Sequence, residues 1–137
     1  MRLTKILLFI MAISLFSFTT LNRSGKTGGT GPWKFIADKW VSWGVDHDVI
    51  LFGNLKDDFR QLKLKVTDGP LKMYDMKVYF DNGQVQDVAI RNTIRQGGES
   101  RVIDLDGGLR HLSKIEFWYE TKGFLRGKAR IAVWGRW

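Results

Sequence analysis

Residues Leu71 to Asn92 read LKMYDMKVYFDNGQVQDVAIRN, with Asn82-Gly83 at the centre. Asn-Gly is the dipeptide that most readily takes positive φ at both central turn positions, so it predicts a type I′ hairpin turn. Before the turn, Tyr74, Met76, Val78 and Phe80 share one face, extended by Lys72. Met73, Asp75, Lys77, Tyr79 and Asp81 share the other. After the turn, Val88 and Ile90 alternate with Asp87 and Arg91. Alternation with period two on both sides of a turn signal predicts two antiparallel strands. The row Tyr74, Met76, Val78 and Phe80 is the expected core face.

The same pattern recurs outward from this hairpin. Leu62, Leu64 and Val66 alternate with Gln61, Lys63, Lys65 and Thr67. Ile115, Phe117 and Tyr119 stand opposite Glu116, Trp118 and Glu120. Short apolar runs occur at Asp48–Phe52 and Arg101–Leu105, and Lys128–Trp137 reads as a closing strand. Trp33–Val45 reads as an opening strand with aromatics on both sides. Asp68-Gly69-Pro70, Asp106-Gly107-Gly108 and 123–127 read as turns. No stretch after the first twenty residues keeps a helical period. About eight to nine short strands between turn signals predict an all-β fold, an antiparallel β-sandwich of jelly-roll or immunoglobulin-like type.

The amino terminus is different in kind. Arg2 and Lys5 precede the apolar run Ile6–Phe18, which is short for a membrane span and right for a signal peptide. The expected organisation is a signal helix over 1–20, a glycine-rich linker over 21–32 and one β-sandwich domain over 33–137. Export to the periplasm or beyond follows, with no membrane span in the mature chain. An uncleaved amino-terminal anchor is the alternative. The 137 residues contain no cysteine, which excludes disulfides, thiolate metal sites and a cysteine nucleophile. Net charge is +8, from 22 basic and 14 acidic groups. Without Arg2 and Lys5 the remainder carries 20 basic groups against 14 acidic, a net of +6. Such a balance favours anionic partners.

Catalytic and metal signatures are weak. Gly25-Lys26-Thr27 resembles the end of a phosphate-binding loop, but Thr20 stands where its first glycine is needed. Asp46-His47-Asp48 has ligand chemistry, yet neighbours in a strand point to opposite faces, so it reads as a solvated turn. Asp104, Asp106, Gly107 and Gly108 resemble the start of a calcium loop, but Ile115 occupies the closing carboxylate position. No G-x-S-x-G is present. Asp104 with Glu116 or Glu120 is the only carboxylate pairing worth a glycosidase test. No enzyme activity, cofactor or metal is expected.

Arginine is concentrated late in the chain. Arg91, Arg95, Arg101 and Arg110 fall in one third of it, and Arg126, Arg130 and Arg136 follow. With Trp118, these residues suit a surface where guanidinium groups meet anions and an indole stacks on a sugar. Arg91, Arg95, Arg110 and Trp118 are therefore the expected ligand contacts. The glycine-rich exit of the hairpin, with Arg95, Gly97 and Gly98, is the first place to look.

Several fragments taken together resemble a known group. They are Trp43-Gly44, Asp48-Val49-Ile50, Leu62-Lys63-Leu64, Met76 to Gly83, Ser100 to Leu105, Gly108-Leu109-Arg110 and Ile115 to Tyr119. The pattern resembles small exported bacterial proteins, β-sandwich-like domains of unknown function, over roughly Trp40 to Gly135. Members often carry cysteines, which this chain lacks. The resemblance implies fold and export and transfers no active site.

The expected function is a non-catalytic binding module for an anionic glycan, lipopolysaccharide or another envelope component. One alternative is a structural or adaptor domain that binds an envelope protein through a sheet edge. Further alternatives are a small outer-membrane β-barrel and a polysaccharide-acting enzyme. Nucleic acid is not an expected partner of an exported chain.

Overall fold

A computed structural model describes Gly29 and residues 31–41, 44–121 and 128–137. The expected signal helix and the linker up to residue 28 lie outside these residues. Every regular element described is a strand. In chain order they are β1 (Lys34–Val41), β2 (Val45–Leu51), β3 (Gln61–Thr67), β4 (Leu71–Phe80), β5 (Val85–Val88), β6 (Thr93–Ile94), β7 (Ile103–Asp104), β8 (Leu112–Glu120) and β9 (Ala129–Arg136). The first sheet has the order β1-β9-β3-β7. The second runs β2-β8-β4-β5, with β6 also paired to β4. All pairings are antiparallel. The protein is an antiparallel β-sandwich.

Alternation explains the packing. Leu62, Leu64 and Val66 of β3 and Ala129, Ile131 and Val133 of β9 are buried from the first sheet. Met76, Val78 and Phe80 of β4 meet them from the second, with Ile115, Phe117 and Tyr119 of β8. Each such large apolar side chain, fully buried, contributes about 1.5–3 kcal/mol. The outward rows interleave lysine, glutamate and arginine with tryptophan, where a membrane barrel requires a continuous apolar outer band. No helix among the described residues is long and apolar enough to cross a membrane.

The hairpin forms where the sequence places it, but its turn differs. Asp68 is the only described non-glycine residue with positive φ, so Asn82 cannot supply half of a type I′ turn. Instead Gly83 takes φ 85° and donates its N–H to the carbonyl of Phe80 at 3.1 Å. Phe80 in turn donates to Gln84 at 2.9 Å. This is a three-residue loop with glycine in the left-handed third place. Asn82 contributes through its side chain, whose Oδ1 accepts from the Gln84 N–H at 3.0 Å.

The expected core row of β4 is also corrected at one residue. Against β8, Met73 pairs with Tyr119 and Asp75 with Trp118, leaving Tyr74 as an extra residue. This bulge changes which parity faces inward. Leu71 and Met73 are buried before it, and Met76, Val78 and Phe80 after it. Tyr74 is turned out to the surface. A second irregularity lets Phe80 pair with Leu112 while Tyr79 pairs with Lys114. Leu112 and Ile115 are both buried, although they are three residues apart.

The segment expected as a solvated turn belongs to a sheet. Asp46-His47-Asp48 lies inside β2, in register with Tyr119, Trp118 and Phe117. The glycine-rich segment after β6 runs along the edge of β3. Gly97 donates to Val66 at 2.8 Å, Val66 to Gly98 at 3.0 Å and Ser100 to Leu64 at 2.8 Å.

Polar groups close one side of the sandwich. Lys39 of β1 lies 2.9 Å from Asp48 of β2 and donates to the Val49 carbonyl at 3.2 Å. The other oxygen of Asp48 accepts from the buried Tyr119 hydroxyl at 2.8 Å. The two sheets are thus tied where β1 passes into β2. At the opposite sheet end, Gly135 leaves room for Phe59, because a Cβ there would sit 2.5 Å from the Phe59 ring.

Core and turn are expected to differ in their response to mutation. Phe117→Ala should lower unfolding free energy by about 3–5 kcal/mol in urea titrations, the range for a truncated buried phenylalanine. Gly83→Ala, with φ positive and open space around its Cβ position, should cost only about 1–2 kcal/mol.

Candidate functional site

The outer face of the second sheet is built on β8. Its outward residues are Lys114, Glu116, Trp118 and Glu120, all half-buried. His47 of β2 is the direct register partner of Trp118. Their rings stack with centroids 4.8 Å apart and planes 22° from parallel. On the other side of Trp118 stands Asp75 of β4, and the bulge adds Tyr74 beside it. Arg91 arrives from the segment after β5, anchored where the Met73 N–H bonds the Asn92 carbonyl at 2.9 Å.

These residues, with Asp46, line an open depression of about 680 Å³. Small-ligand sites commonly have volumes of roughly this order. The depression has an aromatic floor and a polar rim. Asp46 and Asp75 each accept one backbone N–H, from His47 at 2.8 Å and Met76 at 2.9 Å. His47 Nε2 lies 3.5 Å from Glu116. The Lys77 ammonium is 5.9 Å from the Trp118 ring centre and 3.8 Å from Asp87. Arg91 is exposed and makes no side-chain hydrogen bond or ion pair among the described residues.

Tyr74 has a perturbed hydroxyl. It donates to Glu120, and Lys72 sits 5.2 Å over its ring. The hydrogen bond to Glu120 holds the proton, and desolvation and the carboxylate charge oppose the phenolate, so its pKa lies above 10.0. The interaction therefore stabilises the fold below the ordinary tyrosine pKa and is lost as pH rises through the raised one.

The four expected contacts separate into three settings. Trp118 and Arg91 meet in the depression. Arg95 follows Ile94 at the start of β4 and is exposed. Arg110 is at the far end of β4. Its guanidinium lies 3.8 Å over the Phe80 ring and donates to Gln84 at 2.7 Å, Asn82 at 3.2 Å and the Asp106 carbonyl at 2.7 Å. Arg110 holds the hairpin turn. Asp104 lies on the first sheet and accepts from Gln61 at 2.6 Å, whereas Glu116 and Glu120 lie on the second, so the carboxylates of the glycosidase test do not meet. Beside the Asp106 turn stand two guanidinium groups, from Arg60 and Arg110, an arrangement that opposes a cation. Among the described residues no three His, Asp or Glu side chains are grouped to hold a metal.

His47, Tyr74, Asp46 and Asp75 were not anticipated. For His47 a signal exists: with a strand from Val45, it shares parity with Val49 and Leu51. Tyr74 has none, because the bulge that exposes it follows no local pattern.

The chain belongs to the family defined by a domain of unknown function, DUF2541. The match runs over residues 8–135. A comparison with curated proteins returned no match. Among solved structures, that of AlgX from Pseudomonas aeruginosa is similar, with a TM-score of 0.46 and 15% identity. The likeness covers 77% of this chain, which spans 27% of the AlgX chain.

The Tyr74–Glu120 contact can be read directly. Glu120→Gln should bring one of the protein's tyrosine titrations down toward 10.0, followed by phenolate absorbance near 295 nm.

Proposed function

We propose that this member of the family is an exported envelope protein that binds a glycan without transforming it. The reading rests on the stacked His47–Trp118 pair on the open outer sheet, with unpaired Arg91 at its rim. The Trp118 indole, half-buried with one face on His47, gives the depression an apolar floor that suits the C–H face of a sugar ring. Asp46 and Asp75 offer acceptors for hydroxyl groups. Arg91 offers a planar, two-pronged donor for a carboxylate or sulfate, which favours an acidic sugar. Export is supported by Arg2, Lys5 and the apolar run Ile6–Phe18.

Strand addition to a sheet edge has less support. The edge strands β5, β6 and β7 have 4, 2 and 2 residues and offer little backbone to pair with, so this reading rests on the edge strands β1 and β2, of 8 and 7 residues.

Calorimetric titration with uronic-acid oligosaccharides and their neutral counterparts tests the proposal. Trp118→Ala should weaken binding at least tenfold, about 1.4 kcal/mol. Arg91→Glu should abolish the preference for the acidic series while leaving neutral binding. Unchanged affinity in Trp118→Ala for every oligosaccharide that binds would sink the idea.

A further inference from the structure

The outer face of the first sheet has its own chemistry, on the side of the sandwich away from Trp118. Of 6 tryptophans in the chain, Trp33, Trp40, Trp134 and Trp137 lie on this face or at its rim. Phe35 and Trp40 of the edge strand β1 are 45% and 56% exposed, and Trp137 is 45% exposed. Cations are interleaved with them. Arg130 lies over Trp40 at 5.9 Å, and Trp33 has Lys63 and Arg136 each 4.6 Å from its ring centre.

Charge on the face is only partly compensated. Asp38 pairs with Arg130, and Glu99 with Lys63 at 3.0 Å. Lys65 and Arg136 have no carboxylate partner among the described residues. A hollow of about 240 Å³ opens between Phe35, Asp38, Lys65, Arg130 and Trp134. Trp134 keeps its indole N–H buried with no acceptor among the described residues. The hollow therefore presents the unpaired Lys65 ammonium beside the Arg130–Asp38 pair.

We propose that this face docks on an anionic lipid surface, with Phe35 and Trp40 entering the headgroup layer and Lys65, Arg130 and Arg136 meeting its phosphates. Aromatic rings with one apolar and one polar side settle at the headgroup level of a bilayer. Basic residues around them are drawn by the negative surface potential. The half-exposed apolar groups stand at the rim and not along a groove. A single strand of nucleic acid needs a continuous cationic track, and the small hollow offers none. The proposal is independent of the glycan reading, since it uses the opposite sheet.

The test uses the protein as purified from producing cells, every variant with the same amino terminus, so any contribution of the leader is common to all. Vesicles of equal phosphatidylcholine and phosphatidylglycerol are compared with phosphatidylcholine alone by co-sedimentation and tryptophan fluorescence. Binding to the anionic vesicles should be at least tenfold stronger. The pair Lys65→Glu and Arg136→Glu should reduce it at least tenfold with unchanged circular dichroism. Phe35→Ser with Trp40→Ser should weaken binding and remove the blue shift of emission. Trp118→Ala should bind vesicles as the parent does, which separates this result from the glycan test. Equal binding to both vesicle types overturns the proposal, as does anionic binding that neither pair of substitutions changes. Retention on single-stranded DNA with none on vesicles overturns it in favour of a nucleic-acid surface.

Discussion

Strand β8 carries both halves of the molecule. On its inner side Ile115, Phe117 and Tyr119 are fully buried against the opposite sheet. On its outer side Trp118 forms the floor of the depression, with Glu116 and Glu120 flanking it along the strand. Strict alternation forces this division, because a side chain one position along points the other way. A slip of one residue in either pairing of β8 would bury the glutamates and expose Phe117. The register that protects the core is thus the register that sets Trp118 beside His47. Stability and site geometry rest on one set of backbone hydrogen bonds.

The outer face gains a further element from an irregularity. A regular β4 would place Tyr74 in line with Met76 and Val78. The bulge turns it outward to Glu120 and beside Trp118. Bulges recur where a sheet must re-aim a side chain next to a site, and this one does so within the central pair of the sheet. The latch of Lys39, Asp48 and Tyr119 acts at a different corner, where the chain crosses between sheets. It neutralises Asp48, whose position in β2 would otherwise leave a carboxylate against a buried phenol.

Legibility in the sequence followed the range of the interaction. Alternation in β3, in the later part of β4 and in β8 is local, so sandwich class and most of the core were readable. The hairpin was readable too, although Asn-Gly adopted a different loop from the one its composition favours. The switch of parity at Tyr74 was not readable, because it depends on how β8 lies beside β4. His47 was hidden by the two aspartates flanking it, which resemble a turn until the strand boundary is known. Trp118 and Arg91 were singled out from residue type, and the structure brings both to one depression. Their meeting depends on where the segment after β5 is anchored. Arg110 shows the limit of residue type alone, since its cation is committed to the hairpin turn.

The order of strands in the first sheet bears on how the chain acquires its shape. β9 lies between β1 and β3, and is hydrogen-bonded to both. β3 can pair with β7 before β9 is made, but β1 has no partner in this sheet except β9. Pairing across so much sequence is slow, because loop closure must precede the contacts that reward it. The second sheet has all its strands before β9, whereas the first sheet is joined only through β9, so the two halves of the sandwich differ in how far along the sequence their pairings reach.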